Sequence, residues 1–398
     1  MKYPRVRLKE GREKSLKRKH HPWLFSGAIQ SSPDGLKPGD TVDVLSSHGE
    51  WLARGAYSPT SKIRVRVWTW NHDDEINKDF FLKKFKTAID LRAKVFTARE
   101  GNSRRLVHGE SDGIPGFIVD QYGDMLVMQV LSAGAEHWKA TAVECLAELT
   151  GFETIYERSD VDVRILEGLE SRKGVLLGQE PEPFLIEENG LKFNIDPALG
   201  QKTGFYLDQR SNRQLIREMV PMGSEVLNCF CYTGAFSLYA LAGGAGHVTS
   251  IDSSSDAIAW AEKNQALNDF DSEKSTWIVG DVFQLLRKFR DSRKSFDVII
   301  LDPPKFAPTS AQAESAARGY KDINLLAMKL LRPGGMLFTY SCSGGISADL
   351  FQKIIAGAAL DAGVDLRIVR QLHQDRDHPV AVNFPEGAYL KGLMCIKS

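Results

Sequence analysis

Glu225-Val226-Leu227-Asn228-Cys229-Phe230-Cys231-Tyr232-Thr233-Gly234-Ala235 reads as an apolar strand, a tight loop ending on glycine and the start of a helix. The same alternation repeats downstream. Residues 247–252 form a strand candidate ending on Asp252, and a helical stretch over 255–268 follows. A strand over 276–280 ends at Asp281, with a helix over 282–289 behind it. Residues 296–301 run into Asp302-Pro303-Pro304-Lys305-Phe306. A helix over 322–331, the turn Arg332-Pro333-Gly334-Gly335 and a strand over 336–340 then lead to Ser341-Cys342-Ser343-Gly344. Strands alternating with helices predict a parallel sheet. In a doubly wound sheet the ligand lies outside the carboxyl ends of the strands. Here those ends carry Asn228 to Gly234, Asp252, Asp281 and Asp302, all on one rim.

The rim suits a nucleoside. Asp252 stands 24 residues after Asn228, a spacing at which an acid reaches two ribose hydroxyls in nucleotide-binding folds. The loop holds one glycine where Gly-x-Gly-x-x-Gly would hold three, leaving less room for a pyrophosphate against the backbone. A nucleoside without phosphates, such as S-adenosylmethionine, fits better.

The whole chain has 398 residues, 42% hydrophobic and 26% charged, with 51 basic and 51 acidic side chains. Such values belong to globular chains and exclude a wholly disordered or fibrous one. At roughly 100–200 residues per domain, the length predicts two to four domains. Apolar runs such as residues 298–301 are far short of the ~20 residues of a membrane span. Met1-Lys2-Tyr3-Pro4-Arg5-Val6-Arg7 lacks the apolar core of a secretion signal. Five cysteines (Cys145, Cys229, Cys231, Cys342 and Cys395) contain one close pair, spaced too tightly for the usual zinc site. The expectation is a soluble cytoplasmic protein with no membrane contact, no disulfide framework and no metal.

Zero net charge conceals an asymmetry. Residues 1–70 hold fourteen basic and six acidic side chains, a net +8 balanced by −8 in the remainder. A basic terminal segment suggests a polyanionic partner. Short strand-like runs alternate there with turn signals such as Pro38-Gly39-Asp40. Over residues 63–70 the period is two: Ile63, Val65 and Val67 share one face, and Arg64, Arg66, Trp68 and Trp70 the other. An arginine and tryptophan face offers phosphate contacts beside flat stacking surfaces, which predicts RNA contact by Arg64, Arg66 and Trp68. Residues 71–190 mix helical stretches (80–99 and 136–149) with strand candidates (115–120, 125–131, 154–157 and 174–177) and carry no chemical motif.

The last ~210 residues resemble class I S-adenosylmethionine-dependent methyltransferases. The resemblance is narrower over the run from Gln201-Lys202-Thr203 to Asp208-Gln209-Arg210, over Leu227-Asn228-Cys229-Phe230, over Asp302-Pro303-Pro304-Lys305-Phe306 and over Tyr340-Ser341-Cys342-Ser343-Gly344. These segments are similar to those of the bacterial ribosomal RNA large subunit methyltransferase I family, which makes 5-methylcytosine in 23S rRNA. The similarity covers the full chain, and His21-Pro22-Trp23-Leu24-Phe25 resembles part of that family's RNA-binding PUA domain. It implies an α/β protein whose Rossmann-like methyltransferase sheet occupies residues 191–398. A small β-rich PUA domain would take residues 1–72, and a central α+β domain residues 73–190. It also implies S-adenosylmethionine as cofactor and 23S rRNA, naked or in an assembling large subunit, as partner, with a homodimer as a further expectation.

The residues expected near the cofactor are Phe205, Tyr206, Arg210, Asn228, Phe230, Thr233, Gly234, Asp252, Ser253, Asp281, Val282 and Asp302. Asp252 would hold the ribose and Asp281 the adenine amino group. Carbon 5 of cytosine is a poor nucleophile until a thiolate adds to carbon 6, and Cys342 is the candidate thiol. Asp302 would hydrogen-bond N3 or the amino group of a flipped base, stabilising charge as the thiol adds. Lys305, Arg318 and Lys321 are further candidate RNA contacts, the last two on a mobile lid beyond the Ala/Ser-rich residues 307–317. Some related 5-methylcytosine enzymes carry a second cysteine after the Asp-Pro, where this chain has Pro304-Lys305. The base that removes the carbon-5 proton is therefore unassigned. Two other readings compete: methylation of an exocyclic amine such as guanine N2, and a non-catalytic RNA-binding assembly protein. Only carbon-5 chemistry requires Cys342, and a binding module gains nothing from a cofactor rim.

Overall fold

A computed structural model describes residues 3–97, 100–198, 200, 203–307 and 312–398. Arg99, Gln201, Lys202 and residues 308–311, which figure in the sequence reading, lie outside these. The chain groups into two units: Met1–Ile186 with Ile195–Leu207 and Arg376–Gly387, and Glu187–Asn194 with Asp208–Asp375 and Ala388–Ser398.

The first unit contains two sheets. β1 (Arg5–Leu8), β2 (Trp23–Phe25), β3 (Ile29–Ser31), β4 (Thr41–Leu45), β5 (Trp51–Tyr57) and β6 (Ile63–Thr69) form a six-stranded sheet in the order β2-β6-β5-β4-β1-β3. The short helix α1 (Lys14–Lys19) ends on His20, which adopts the left-handed conformation. Val6, Leu8, Val42, Val44, Val65 and Val67 fill this sheet's core. The second sheet runs β11-β10-β9-β8-β7, from β7 (Ser103–His108), β8 (Phe117–Tyr122), β9 (Met125–Val130), β10 (Thr154–Ser159) and β11 (Arg172–Leu177). Its helices are α2 (Lys78–Val95), α3 (Ala133–His137), α4 (Lys139–Thr150) and α5 (Val163–Leu166). The Asn77 side chain caps α2 by accepting the Phe80 N–H. Ala56 and Trp68 from the first sheet join Phe81, Phe85 and Phe117 in one apolar cluster. With that shared core, residues up to Ile186 of the two stretches expected as separate domains, 1–72 and 73–190, group in one unit, while Glu187–Asn194 group with the other.

A hairpin, β12 (Phe184–Glu188) and β13 (Leu191–Ile195), follows. Its turn residues Asn189 and Gly190 both have positive φ, 50° and 78°, as a tight hairpin requires.

The second unit is built on seven strands. These are β14 (Glu225–Cys229), β15 (His247–Asp252), β16 (Ser275–Val279), β17 (Phe296–Leu301), β18 (Leu331–Ser341), β19 (Leu366–His373) and β20 (Lys391–Lys397). They stand in the order β16-β15-β14-β17-β18-β20-β19. The first five are parallel, while β20 pairs antiparallel with β18 and β19. Strand order reverses between β14 and β17, the switch point at which such sheets bind ligands. α6 (Arg210–Met219) precedes β14, and α7 (Ala235–Ala242), α8 (Ser255–Leu267), α9 (Val282–Asp291), α10 (Ala313–Leu330) and α11 (Ala348–Ala362) connect the strands. Ile299 and Leu301 of β17 pack with Leu286, Ile323 and Phe351 from α9, α10 and α11. Val298 and Ile300 point to the opposite face and are equally buried, so the apolar run of β17 is that of a strand covered on both sides. Ser254, Asp281 and Ser347 cap α8, α9 and α11 with their side chains, which fixes where each helix leaves the rim.

Candidate active site

The loop after β14 sets the rim. Phe230 and Tyr232 carry φ of 61° and 48°, left-handed values that cost of order 1–3 kcal/mol each for residues with side chains. Asp252 offsets part of this cost: its Oδ2 accepts the Tyr232 N–H at 2.8 Å and its Oδ1 the Ser254 N–H at 3.0 Å. Gly234, at φ 81°, closes the loop where a Cβ would sit 2.7 Å from the Trp277 ring and 2.9 Å from Ala261 Cβ. Among the described residues, Asn228 Oδ1 and Thr233 Oγ1 are buried with no hydrogen-bond partner. Buried acceptors and hydroxyls are ordinarily satisfied, so these two atoms fit a polar ligand held at the strand ends. Asp252 has further lone pairs for ribose hydroxyls beside its two amides.

Other expected cofactor residues occupy varied positions. Ser253 is exposed just past β15, and Asp281, also exposed, accepts the Gln284 N–H at 2.8 Å as the cap of α9. The Val282 side chain is in the core, so only its backbone can meet a ligand. Arg210 is buried, with Nη1 2.7 Å from Asp375 Oδ2 and Nε 3.3 Å from Glu188 Oε2. Its guanidinium therefore holds the second unit together. Phe205 and Tyr206 belong to the first unit, where the Phe205 N–H donates to Tyr122 Oη at 3.2 Å. Thr203 is tied there as well, donating to Asp120 Oδ2 at 2.7 Å.

Asp302 and Cys342 lie at the carboxyl ends of adjacent parallel strands, β17 and β18. Gln209 Nε2 donates to Asp302 Oδ2 at 3.0 Å, and Asn212 Nδ2 donates to Gln209 Oε1 at 2.6 Å. This chain of amides orients the carboxylate. Gln209 stood inside the quoted run, but its contact with Asp302, 93 positions away, has no local sequence signal.

Cys342 is half-buried between two inward-facing serines. Ser341 Oγ donates to Tyr320 Oη at 2.9 Å, Ser343 Oγ lies 3.0 Å from the same oxygen, and Ser343 Oγ accepts the Ala307 N–H at 3.0 Å. The other four cysteines are buried. Burial pushes the Cys145 thiol up to about 11 and Cys395 to about 12, and raises Cys229 and Cys231 as well. They stay thiols at neutral pH.

Two of the three residues of β6 expected to meet RNA are internal, and Arg64 is half-buried. Arg66 is 7% exposed and Trp68 1%. Arg66 Nη1 pairs with Glu167 Oε1 at 2.7 Å, with Glu110 at 3.5 Å from its Nε, and Trp68 meets Phe81 edge-on at 5.3 Å. Arg64 donates to the carbonyls of Ser58 and Pro59. The two faces alternate as expected, but Arg66 and Trp68 on the polar one are covered by Glu110, Glu167 and Phe81, while Arg64 and Trp70 stay partly exposed. A different surface of the first unit is open: a cavity of about 370 Å³ lined by Arg12, Lys14, Trp23 and Phe25 among others. Phe25 is 51% exposed there.

Lys305 is exposed after β17. Arg318 and Lys321, expected on a lid, stand on the regular helix α10 and pair with Glu314 at 2.8 Å and Asp361 at 2.7 Å. Of the Ala/Ser-rich stretch, residues 313–317 open this helix, as suits alanine, the best helix former. No described helix is long and apolar enough to cross a membrane.

A profile of S-adenosylmethionine-dependent methyltransferases matches residues 168–394, and one of PUA-like domains matches residues 6–70. A ribosomal RNA large subunit methyltransferase I from Photobacterium profundum is 52% identical over 394 residues, covering 98% of each chain. Its namesake from Shewanella amazonensis is 51% identical over 391 residues, again 98% of each. A solved structure described as a SAM-dependent methyltransferase from Streptococcus mutans superposes with a TM-score of 0.85 at 25% identity, covering 98% of this chain and 99% of that one. Another, of a methyltransferase complexed with SAH, also gives 0.85 at 25% identity over both full chains. With that rim, that basic β-rich start and these relatives, the chain belongs to the ribosomal RNA large subunit methyltransferase I family and is an S-adenosylmethionine-dependent rRNA methyltransferase.

Proposed function

We propose that this enzyme methylates carbon 5 of a cytosine in 23S rRNA through a covalent bond between Cys342 and carbon 6. The observation that carries the reading is the pairing of one half-buried thiol with an oriented carboxylate on neighbouring strand ends, while the other cysteines are sealed in the core. Methylation of an exocyclic amine has no use for such a thiol.

S-adenosylmethionine supplies an electrophilic methyl group when bound. Asn228, Thr233 and Asp252, with the Phe230 to Gly234 loop, are the residues that would hold its polar parts. Cys342 loses its proton to solvent and adds as the thiolate to carbon 6, pushing electron density to carbon 5. Asp302, held by Gln209, accepts a hydrogen bond from the base amino group, or donates to N3 when protonated, as that charge develops. Carbon 5 then takes the methyl as the methyl–sulfonium bond breaks; its proton passes to solvent, the Cys342–carbon 6 bond breaks, and the thiolate returns. A flipped base gives both side chains access to the ring. In the first unit, the cavity bearing Arg12, Lys14 and Phe25 takes over the RNA contact first expected of β6, with cations for phosphate and a ring for stacking.

RNA carrying 5-fluorocytosine tests the covalent step, because fluorine at carbon 5 cannot leave as a proton. With S-adenosylmethionine present, the expected result is a denaturation-resistant protein–RNA complex with the wild type and none with Cys342→Ala. A complex that survives the substitution, or none with either protein, would contradict the reading.

A further inference from the structure

Lys391 stands on β20 at the position paired with Ser341 of β18, the residue before Cys342. Its Nζ donates to Ser343 O at 2.7 Å and to Ile346 O at 2.8 Å. Ser343 O also accepts the Ile346 N–H at 3.2 Å, so the amine closes the turn that follows the thiol. A lysine at a surface ordinarily extends its head into water. This one is half-buried and bonded to two main-chain carbonyls, which orient the ammonium but cancel none of its charge. No salt bridge to Lys391 occurs among the described residues.

Cys342, from the loop after β18, favours the ammonium, and Lys305, from the loop after β17, opposes it. Tyr320 of α10 bonds the hydroxyls of Ser341 and Ser343. His373 of β19 is the other strand partner of Lys391, its Nδ1 2.9 Å from Gln374 O. Burial, the largest influence, brings the Lys391 amine down to about 8. An ammonium so disfavoured gains from a nearby anion, and the gain is reciprocal.

We propose that Lys391 is a positioning residue for the Cys342 thiol: it pins the turn behind the nucleophile and supplies the uncompensated positive charge that stabilises its thiolate. The assignment rests on the reading of Cys342 as nucleophile. When the thiol ionises, its proton passes to solvent, Lys391 keeps its own, and no bond to nitrogen forms or breaks.

Iodoacetamide alkylation of the full chain tests this without RNA or cofactor. The thiolate sulfur displaces iodide, and mass spectrometry reads the rate at Cys342 between roughly pH 6 and 10, the span over which a thiol titrates. Lys391→Met is expected to raise the half-maximal pH by about one unit, with Lys391→Arg restoring a value near the wild type. An unmoved midpoint in a Lys391→Met protein with native circular dichroism would overturn the proposal. So would an equal rise in Lys391→Arg, which would assign the effect to packing. If Lys391→Met does not fold, Lys391→Gln, which keeps a donor for the turn and drops the charge, carries the same expectation and the same refutation. In steady state Lys391→Gln should lower kcat with little change in KM for RNA. A shifted midpoint with the methyl found elsewhere than carbon 5 keeps Lys391 and removes the proposed chemistry. A Cys342-dependent carbon-5 product with an unmoved midpoint does the reverse.

Discussion

β6 in the first unit and the strand ends of β14, β15, β17 and β18 in the second were both read from short local patterns, and they behave differently. The alternation of residues 63–70 correctly separates two faces. Yet Arg66 and Trp68 turn inward against Glu167 and Phe81. Period two says which side chains share a face; it does not say what covers that face. At the rim the topology does both jobs. A parallel sheet with crossover helices brings every carboxyl end to one edge, so Asp252, Asp302 and Cys342 stand along the same rim whatever their neighbours are.

If the rim carries the chemistry, substitutions there should remove activity and spare the fold. Cys342→Ala has the largest expected effect, a loss of roughly 10⁴-fold or more in single-turnover methylation, with circular dichroism unchanged. Asp302→Asn should slow the same step by about 10²- to 10⁴-fold, while cofactor binding by calorimetry changes little. A collapse of cofactor affinity in that variant would move Asp302 from chemistry to binding.

The β6 side of the comparison predicts the opposite signature. Arg66→Met leaves Glu167 and Glu110 without their buried cation, and should cost about 3–5 kcal/mol of stability in urea unfolding. A variant of native stability that had lost RNA binding would return β6 to the RNA surface. Arg12→Ala with Lys14→Ala should leave stability within about 0.5 kcal/mol. It should also flatten the dependence of log affinity on log salt by about 0.7–0.9 for each contact removed. The mildest effect is on pH. Lys391 is protonated below about 8 and neutral above it, so a rate that needs its charge should decline above that value, and Lys391→Arg should carry the decline to higher pH.

Much of the second unit was legible because its elements are locally consistent. Residues 247–252 and 296–301 are strands with the expected bounds, and the caps Ser254 and Asp281 stand where the helices begin. What escaped were contacts between distant segments. Gln209 reaches Asp302, Lys391 reaches the turn behind Cys342, and Arg210 pairs with Asp375 instead of standing open to a ligand. No window of sequence contains both partners. Phe230 and Tyr232 were hidden for another reason: nothing in an aromatic side chain announces a left-handed backbone. In the first unit, β7 was missed because Ser103-Arg104-Arg105 opens it with polar residues. The single helix expected over 136–149 divides at Trp138, whose φ and ψ of −97° and 8° break the helical run.

The central claim is tested most directly by locating the transferred methyl. Protein-free 23S rRNA would be incubated with methyl-labelled S-adenosylmethionine and the enzyme, digested to nucleosides, and each labelled nucleoside identified by mass spectrometry. The account predicts label in 5-methylcytidine with the wild type and none with Cys342→Ala. Label on an exocyclic nitrogen, or full labelling by the alanine variant, would contradict it.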